Sequence, residues 1–206
     1  MKALVLGATG GTGLATVRAL AARGHEVTAL VRDPPRLPAD APARVLTGDV
    51  LDAHAVAKAV AGQDAVFVVL GSSRGRPTAP DVCSAGTAHA VAAMQATGVR
   101  RLLVVTTLGM GETLSRTPFL FRLVMATILK PQIADKAAQE AIVRDSGLDW
   151  TILRPVGLSS RPGTGQWLAD PIRTRKMQIS REDVAAALVS IAETGAHVGE
   201  AVIVSG

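Results

Sequence analysis

The glycine-rich stretch at the start of the chain constrains the fold more than any other feature. Residues 2–32 read KALVLGATGGTGLATVRALAARGHEVTALVR, so an apolar run leads into glycines at positions 7, 10 and 13. Apolar residues follow at helical spacing, and Gly24 precedes a second apolar run, Val27–Val31. This order predicts a strand, a tight turn, a helix and a second strand, which together form the first half of a dinucleotide-binding unit.

The glycines of this turn have separate physical roles. Gly7 allows the chain to leave the strand in a tight turn, Gly10 lets a pyrophosphate approach the backbone, and Gly13 lets the helix pack closely. The first N–H groups of a helix have no partner within it and attract phosphate, and Thr9 and Thr12 add hydroxyls beside them. The spacing is G-x-x-G-x-x-G rather than G-x-G-x-x-G. An ordinary glycine-rich loop is the alternative, but the flanking strands and helix favour a dinucleotide site.

The residue that ends the second predicted strand indicates which dinucleotide is bound. NAD sites usually place Asp or Glu there to hold the ribose 2′-OH. This chain has Arg32, whose guanidinium would pair with a 2′-phosphate. Asp33 follows and complicates the interpretation, and the alternative is that both are solvated turn residues. We predict NADP(H) as the cofactor.

Strand-like and helix-like segments alternate along the rest of the chain. We predict further strands over 43–47, 65–70, 102–106, 149–153 and 201–204, and helices over 52–60, 79–97, 132–145 and 182–193. Alternation of this kind indicates an α/β fold with one doubly wound parallel sheet, Rossmann-like, and helices on both faces. We expect a single domain, 1–206, with substrate-pocket segments near 108–131 and 157–175. The apolar segment Pro118–Leu129 fits a packed helix, a dimer surface or a lid.

Residues that follow the predicted strands are the next candidates for ligand contacts, because a doubly wound sheet binds ligands at the carboxyl ends of its strands. Asp49 and Val50 follow the third strand and are placed to lie along an adenine ring. A helix cap or turn carboxylate is an equal alternative for Asp49. Gly71 and Arg74 follow the fourth strand, where Gly71 permits close approach and Arg74 would fold over the pyrophosphate unless it is merely solvated.

Composition narrows the class of protein. The chain has 206 residues and a net charge of +5, but its Lys and Arg are scattered and not interleaved with aromatics, so we expect an anionic small-molecule ligand and no nucleic acid. Its one cysteine, Cys83, excludes an internal disulfide and is expected to be packed. The first residues run into a core strand, and no apolar run reaches the roughly 18 residues of a membrane span. We expect a cytoplasmic monomer or homodimer without a membrane segment, and no spacing suggests a metal site.

Several segments resemble the atypical short-chain dehydrogenase/reductases, in the branch that holds the biliverdin reductase B (flavin reductase) and NmrA-like proteins. They are GATGGTG (7–13), VRDPPRLP (31–38), GDVLD (48–52) and VAGQDAVFVVLG (60–71). Two later segments, VVTTLG (104–109) and SGLDWTILRP (146–155), are more similar to bacterial NAD(P)-binding relatives of that branch. The resemblance is therefore strongest in the first third of the chain.

The resemblance implies an NADPH site and gives its residues. Contacts with the cofactor are implied for Gly7, Thr9, Gly10, Gly11, Thr12, Gly13, Arg32, Asp49, Val50, Gly71, Arg74, Thr106, Pro155 and Val156. Among these, Pro155 and Val156 would flank the nicotinamide. Thr107 corresponds to a family serine at the end of the active-site strand.

The chain departs from the family in its catalytic residues. Most members use a tyrosine, helped by a lysine four residues on, and this chain has no tyrosine. Thr107 and Lys136 remain as candidate catalytic residues, although an isolated threonine is a poor general acid. Lys136 also lies four residues before Glu140, and a surface ion pair on one helix is the preferred interpretation of that spacing.

A missing tyrosine matters least when the substrate can take its proton from solvent. We therefore predict hydride transfer from NADPH to a flat conjugated acceptor such as a flavin, a quinone or a biliverdin-like compound. An NADP(H)-binding redox sensor of the NmrA-like type is the second interpretation. Reduction or epimerisation of a nucleotide sugar or terpenoid is the third, because sugar epimerases of the extended family usually need the tyrosine.

Overall fold

A computed structural model describes residues 1–71, 79–109 and 130–206. The strands are β1 (Lys2–Leu6), β2 (Glu26–Val31), β3 (Arg44–Thr47), β4 (Ala65–Val68), β5 (Arg101–Val105), β6 (Asp149–Pro155), β7 (Gly157–Ser159), β8 (Leu168–Asp170), β9 (Gln178–Ser180) and β10 (Glu200–Ser205). The α-helices of the described residues are α1 (Gly11–Ala22), α2 (Ala53–Val60), α3 (Val82–Thr97), α4 (Lys130–Arg144) and α5 (Arg181–Thr194). The predictions for Arg74 and for the apolar segment Pro118–Leu129 lie outside the described residues.

One eight-stranded sheet forms the centre of the fold. Its order is β3-β2-β1-β4-β5-β6-β10-β8, and every neighbouring pair is parallel except β10 and β8. The chain adds strands on one side of β1 first and then on the other, starting at β4. Such a reversal opens a crevice at the carboxyl ends of β1 and β4, where doubly wound sheets bind ligands. The predicted Rossmann-like fold class is confirmed.

Alternating side chains of the strands supply two hydrophobic cores, one on each face of the sheet. In β1, Ala3 and Val5 face the core packed against α1 and α5, whereas Leu4 and Leu6 face the core packed against α2, α3 and α4. All four side chains are fully buried. Burial on both faces explains the continuous apolar runs of the central strands.

The region after β6 differs most from the sequence-based prediction. We predicted no strand between 153 and 201, but β7 and β9 pair in parallel as a separate two-stranded sheet. β8 pairs antiparallel with β10, so the large sheet is not parallel throughout. Each of these strands has three residues, which is too short for an alternating pattern to be recognised.

Short strands form both edges of the large sheet in the described part of the chain. β3 has four residues and β8 has three. Pro42 lies just before β3, and Pro171 directly follows β8.

Over residues 1–71, 79–109 and 130–206, none of the helices combines the length and apolar character needed to cross a bilayer.

Candidate functional site

The β1–α1 turn has the close backbone packing that its glycines predict. Gly7 has φ +92°, and a Cβ atom there would lie 2.4 Å from the carbonyl oxygen of Val69. A Cβ atom on Gly13 would lie 2.0 Å from the carbonyl oxygen of Gly7. Real Cβ contacts are never this short, so the protein itself requires glycine at both positions. The turn therefore holds the start of α1 directly against the end of β1.

No contact among the described residues requires a glycine at position 10. Its φ of −82° suits any residue, and among the described residues a Cβ atom there would meet only the Gly7 carbonyl oxygen, at 3.4 Å. Gly10 is exposed and is the N-cap of α1, and no side chain of the described residues caps this helix start. The first N–H groups of α1 therefore have no side-chain partner among the described residues, and they lie beside a residue without a side chain. This cradle fits a phosphate group.

Arg32 and Asp49 lie together beyond the ends of β2 and β3. Arg32 is well exposed, and its Nη1 lies 3.5 Å from Asp49 Oδ2. Asp49 Oδ1 also accepts a hydrogen bond from the Leu51 amide at 3.1 Å, as in the predicted turn-carboxylate alternative. Val50 is buried, and its carbonyl oxygen accepts a hydrogen bond from His89 Nδ1 at 2.9 Å. The guanidinium is thus held near the cofactor crevice but stays open to a ligand.

Lys136 joins the carboxyl ends of two central strands. Its Nζ donates to the carbonyl oxygens of Leu70 and Val105, at 2.7 and 2.9 Å, and to Gln139 Oε1 at 3.0 Å. The predicted surface ion pair with Glu140 is therefore wrong, because this ammonium group points into the protein. Its three donors are all used. Burial lowers the pKa of Lys136, because its charged ammonium group is removed from water.

Glu140 instead belongs to a buried polar cluster under the same strand ends. Arg154 contacts both oxygens of Glu140, with Nε to Oε1 at 2.9 Å and Nη2 to Oε2 at 2.5 Å. The Thr106 hydroxyl donates to Glu140 Oε1 at 2.7 Å. A cofactor contact at Thr106 would therefore involve its main chain. Thr107 is half-buried, and its hydroxyl donates to the Leu108 carbonyl oxygen at 3.3 Å.

Asp135, next to Lys136, caps a different helix from its own. Its carboxylate accepts hydrogen bonds from the amides of Cys83 and Ser84 at the start of α3, at 2.9 and 2.8 Å. Burial raises the pKa of Asp135, but the hydrogen bonds from Ser84 and Cys83 outweigh this effect and lower it. Burial raises the pKa of Cys83 to about 11, so this thiol is packed, as predicted, rather than nucleophilic. A cavity of about 210 Å³ opens beside these residues and Lys136.

Three further candidate site residues lie at the carboxyl ends of the central strands. Gly71 is exposed, and none of the described residues beyond its chain neighbours lies within 4 Å of the position of its missing Cβ atom. Pro155 is the last residue of β6, and its carbonyl oxygen accepts a hydrogen bond from Leu108. Val156 is buried, and its amide donates to Val204. The structure therefore brings together the β1–α1 turn, Gly71 and the residues after β5 and β6 at the carboxyl ends of the central strands.

Comparison with known proteins now identifies the family. A family of proteins described as NAD(P)H-binding matches residues 7–194 of this chain. The chain belongs to this NAD(P)H-binding family. The predicted NAD(P)-binding Rossmann-like domain and the predicted dinucleotide cofactor are confirmed at this level.

Two relatives illustrate the range of the family. The chain is 44% identical over 114 residues to a 3-diazoavenalumate denitrifying reductase of a Streptomyces species, covering 50% of this chain and 36% of the relative. It is 31% identical over 196 residues to an uncharacterized sugar epimerase of Bacillus subtilis (strain 168), covering 92% of this chain and 87% of the relative. The chain thus spans only about a third of the Streptomyces reductase.

Two solved structures share the fold. An anaerobillin reductase from Escherichia coli O157:H7 superposes with a TM-score of 0.83 at 23% identity, over 100% of this chain and 97% of that one. A short-chain dehydrogenase/reductase from Veillonella parvula DSM 2008, solved in complex with NADP, has a TM-score of 0.83 at 21% identity, over 100% and 94%. At these identities the likeness shows the fold.

The NAD(P)H-binding fold of this chain fixes the segment after β7 to the start of α5. Ser180 caps α5, with its Oγ accepting from the Asp183 amide at 2.9 Å. The Asp183 carboxylate accepts from the amides of Thr164 and Gly165, at 3.0 and 2.9 Å, and from the Ser180 hydroxyl at 2.8 Å. Residues 164 and 165 of the predicted pocket segment 157–175 are therefore anchored to the start of α5.

This anchor predicts a dependence of stability on pH. Burial raises the pKa of Asp183, but hydrogen bonds from Thr164, Ser180 and Gly165 outweigh burial and lower it. Because the unfolded chain then binds a proton more readily, stability present at neutral pH is lost as the pH falls below about 4. We expect Asp183→Asn to reduce the difference in free energy of unfolding between pH 6 and pH 3, measured with urea.

The exposed carboxylate of Asp40 gives the control, since Asp40→Asn should leave that pH difference unchanged. An equal pH difference in the unmodified chain and in Asp183→Asn would contradict the prediction.

Sequence reasoning missed the roles of Arg154, Glu140 and Asp135. The one available signal was a charged residue inside the apolar strand DWTILRP, where Arg154 is only 2% exposed. A buried arginine requires a carboxylate partner, but the sequence alone does not indicate which carboxylate it is.

Proposed function

We propose that this protein is an NADPH-dependent reductase whose acceptor is a flat conjugated compound such as a flavin, a quinone or a biliverdin-like pigment. The observation that carries the proposal is the state of Lys136. Its three donors are bound to Leu70, Val105 and Gln139, and the chain has no tyrosine to act as an acid beside it. A conjugated acceptor that takes its proton from solvent fits this site best.

The described residues would act by binding and orientation. The open start of α1 and Gly10 receive the pyrophosphate, and Lys136 fixes the strand ends that form the floor of the site. Pro155 and Val156 would flank the nicotinamide, which supplies a hydride when the reduced cofactor is bound. Holding two flat rings face to face supplies much of the rate enhancement by proximity.

Arg32 supports NADPH over NADH as the cofactor. Its exposed guanidinium lies at the end of β2, where a 2′-phosphate would sit, and Asp49 holds it at 3.5 Å. The NADP bound in the Veillonella parvula structure is consistent with this choice. The names of the Streptomyces and Escherichia coli relatives, both reductases, support reductase activity.

The test is the loss of absorbance at the reduced-nicotinamide band, with NADPH or NADH and a panel of FMN, riboflavin, biliverdin and a quinone. We expect one acceptor to oxidise NADPH and NADH to react much more slowly. Arg32→Gln should weaken NADPH binding by about tenfold and leave NADH binding unchanged, because only the 2′-phosphate contact is lost. Oxidation of NADH alone would contradict the cofactor assignment.

A redox sensor that binds NADP(H) without turnover is the second candidate, and the saturated Lys136 favours it as well. NADPH binding without oxidation by any acceptor, together with a partner that prefers one redox state of the cofactor, would support it. Epimerase action, suggested by the name of the Bacillus subtilis relative, ranks third because the chain has no tyrosine to exchange a proton.

A further inference from the structure

An arginine from the far end of the chain lies on the glycine-rich turn. Arg181 is the first residue of α5, and a Cβ atom on Gly11 would lie 2.8 Å from Arg181 Cδ and 3.0 Å from its Nε. Its Nη1 donates to Ser160 Oγ at 2.9 Å. The guanidinium is thus held between the first turn of α1 and the residue that follows β7.

The missing side chain of Gly11 makes room for the Arg181 side chain, not for backbone atoms. The three atoms nearest to its missing Cβ atom, outside its own helix and chain neighbours, belong to the Arg181 side chain, whereas those at Gly7 and Gly13 are backbone atoms. α1 and α5 also pack against the same core. The fold therefore brings a basic side chain to the open helix start next to Gly10.

The charges around Arg181 leave it available to an anion. Its two acidic neighbours on α5 are engaged elsewhere, because Glu182 Oε2 accepts from the Gly163 amide at 2.6 Å and Asp183 holds Thr164 and Gly165. Over residues 1–71, 79–109 and 130–206, no carboxylate forms an ion pair with Arg181. The first turn of α1 contains no acidic residue.

We propose that Arg181 binds the pyrophosphate of the cofactor, opposite the N–H groups at the start of α1. The start of a helix carries only about half a positive charge, whereas a pyrophosphate carries about two negative charges, so a nearby guanidinium supplies the charge that the helix lacks. Ser160 holds Arg181 in this position. The proposal rests on the NADPH binding in the proposed function and is independent of which acceptor is reduced.

The test compares two ligands that differ in the pyrophosphate. NADPH contains it, whereas 2′-AMP carries only the 2′-phosphate, and calorimetry measures the affinity of each for the full chain. We expect Arg181→Gln to weaken NADPH binding by about tenfold and to leave 2′-AMP binding unchanged. Arg32→Gln should weaken the binding of both ligands. Arg44→Gln removes one charge at the amino end of β3, away from the strand ends that form the site, and should affect the binding of neither.

Two further variants separate binding from a structural role. Arg181→Lys keeps the charge and should recover most of the NADPH affinity, whereas Ser160→Ala should cost less than Arg181→Gln. Unchanged NADPH affinity in Arg181→Gln, or an equal loss for both ligands, would overturn the proposal. If the unmodified chain binds no NADPH, both this proposal and the proposed function fail. If the chain binds NADPH but oxidises none, the comparison of affinities still tests the role of Arg181.

Discussion

Replacing Gly10 with valine is expected to weaken NADPH binding by about 100-fold, since the side chain would occupy the space that a phosphate needs at the start of α1. The fold should tolerate this change, because Gly10 has φ −82° and a Cβ atom meets only the Gly7 carbonyl oxygen, at 3.4 Å. We expect a Tm close to that of the unmodified chain. NADPH fluorescence titration and thermal unfolding of the same samples measure the two effects.

Gly13→Ala gives the matched control in the same turn. Its Cβ atom would lie 2.0 Å from the Gly7 carbonyl oxygen, so the backbone must move. We expect a loss of about 3 kcal/mol in the free energy of unfolding, or a Tm lower by roughly 6 to 12 °C, with NADPH binding lost as well. NADPH affinity unchanged in Gly10→Val would show that the dinucleotide does not bind at this turn.

Replacing Glu140 with glutamine is expected to lower the free energy of unfolding by about 3 to 5 kcal/mol, because it removes the carboxylate that contacts the buried guanidinium of Arg154. The side chains of Arg154 and Glu140 are only 3% and 8% exposed. An amide offers one acceptor oxygen, and its NH₂ group would face the guanidinium. Urea unfolding at pH 7 measures the change.

Two comparisons test this explanation. Glu193→Gln removes a carboxylate that pairs with Arg23 and His25 at the surface, and should cost less than about 1 kcal/mol. The double variant Glu140→Leu with Arg154→Met removes both buried charges and should be more stable than Glu140→Gln alone. A double variant as unstable as Glu140→Gln would mean that packing, rather than an unpaired charge, determines the loss.

Local patterns were sufficient to predict the fold and the close packing of the glycine-rich turn. The apolar runs of β1 and β2, the helical spacing between them and the glycines of the turn all lie within residues 2–32. Strands buried on both faces need continuous apolar sequence, so the central strands were recognisable as well. The order of alternating strands and helices then fixes the crevice at the carboxyl ends of β1 and β4.

The polar contacts of the site were not predictable in the same way. Lys136 and Glu140 are four residues apart on one helix, which on an exposed face gives an ion pair. In the folded chain, Lys136 instead donates to the carbonyl groups of Leu70, just after β4, and Val105 in β5, and Glu140 contacts Arg154 from β6. Arg181 approaches Gly11 across 170 positions of sequence. Only the tertiary packing decides which side of α4 is buried and which helix start lies near the turn.

The short edges of the large sheet restrict how copies of this chain can associate. β3 and β8 have four and three residues, with Pro42 and Pro171 beside them. Neither offers the long unpaired ladder of N–H and C=O groups that another strand needs for pairing. In the described part of the chain, self-association through a continuous intermolecular sheet is therefore disfavoured, and contact between copies would have to involve helices or loops.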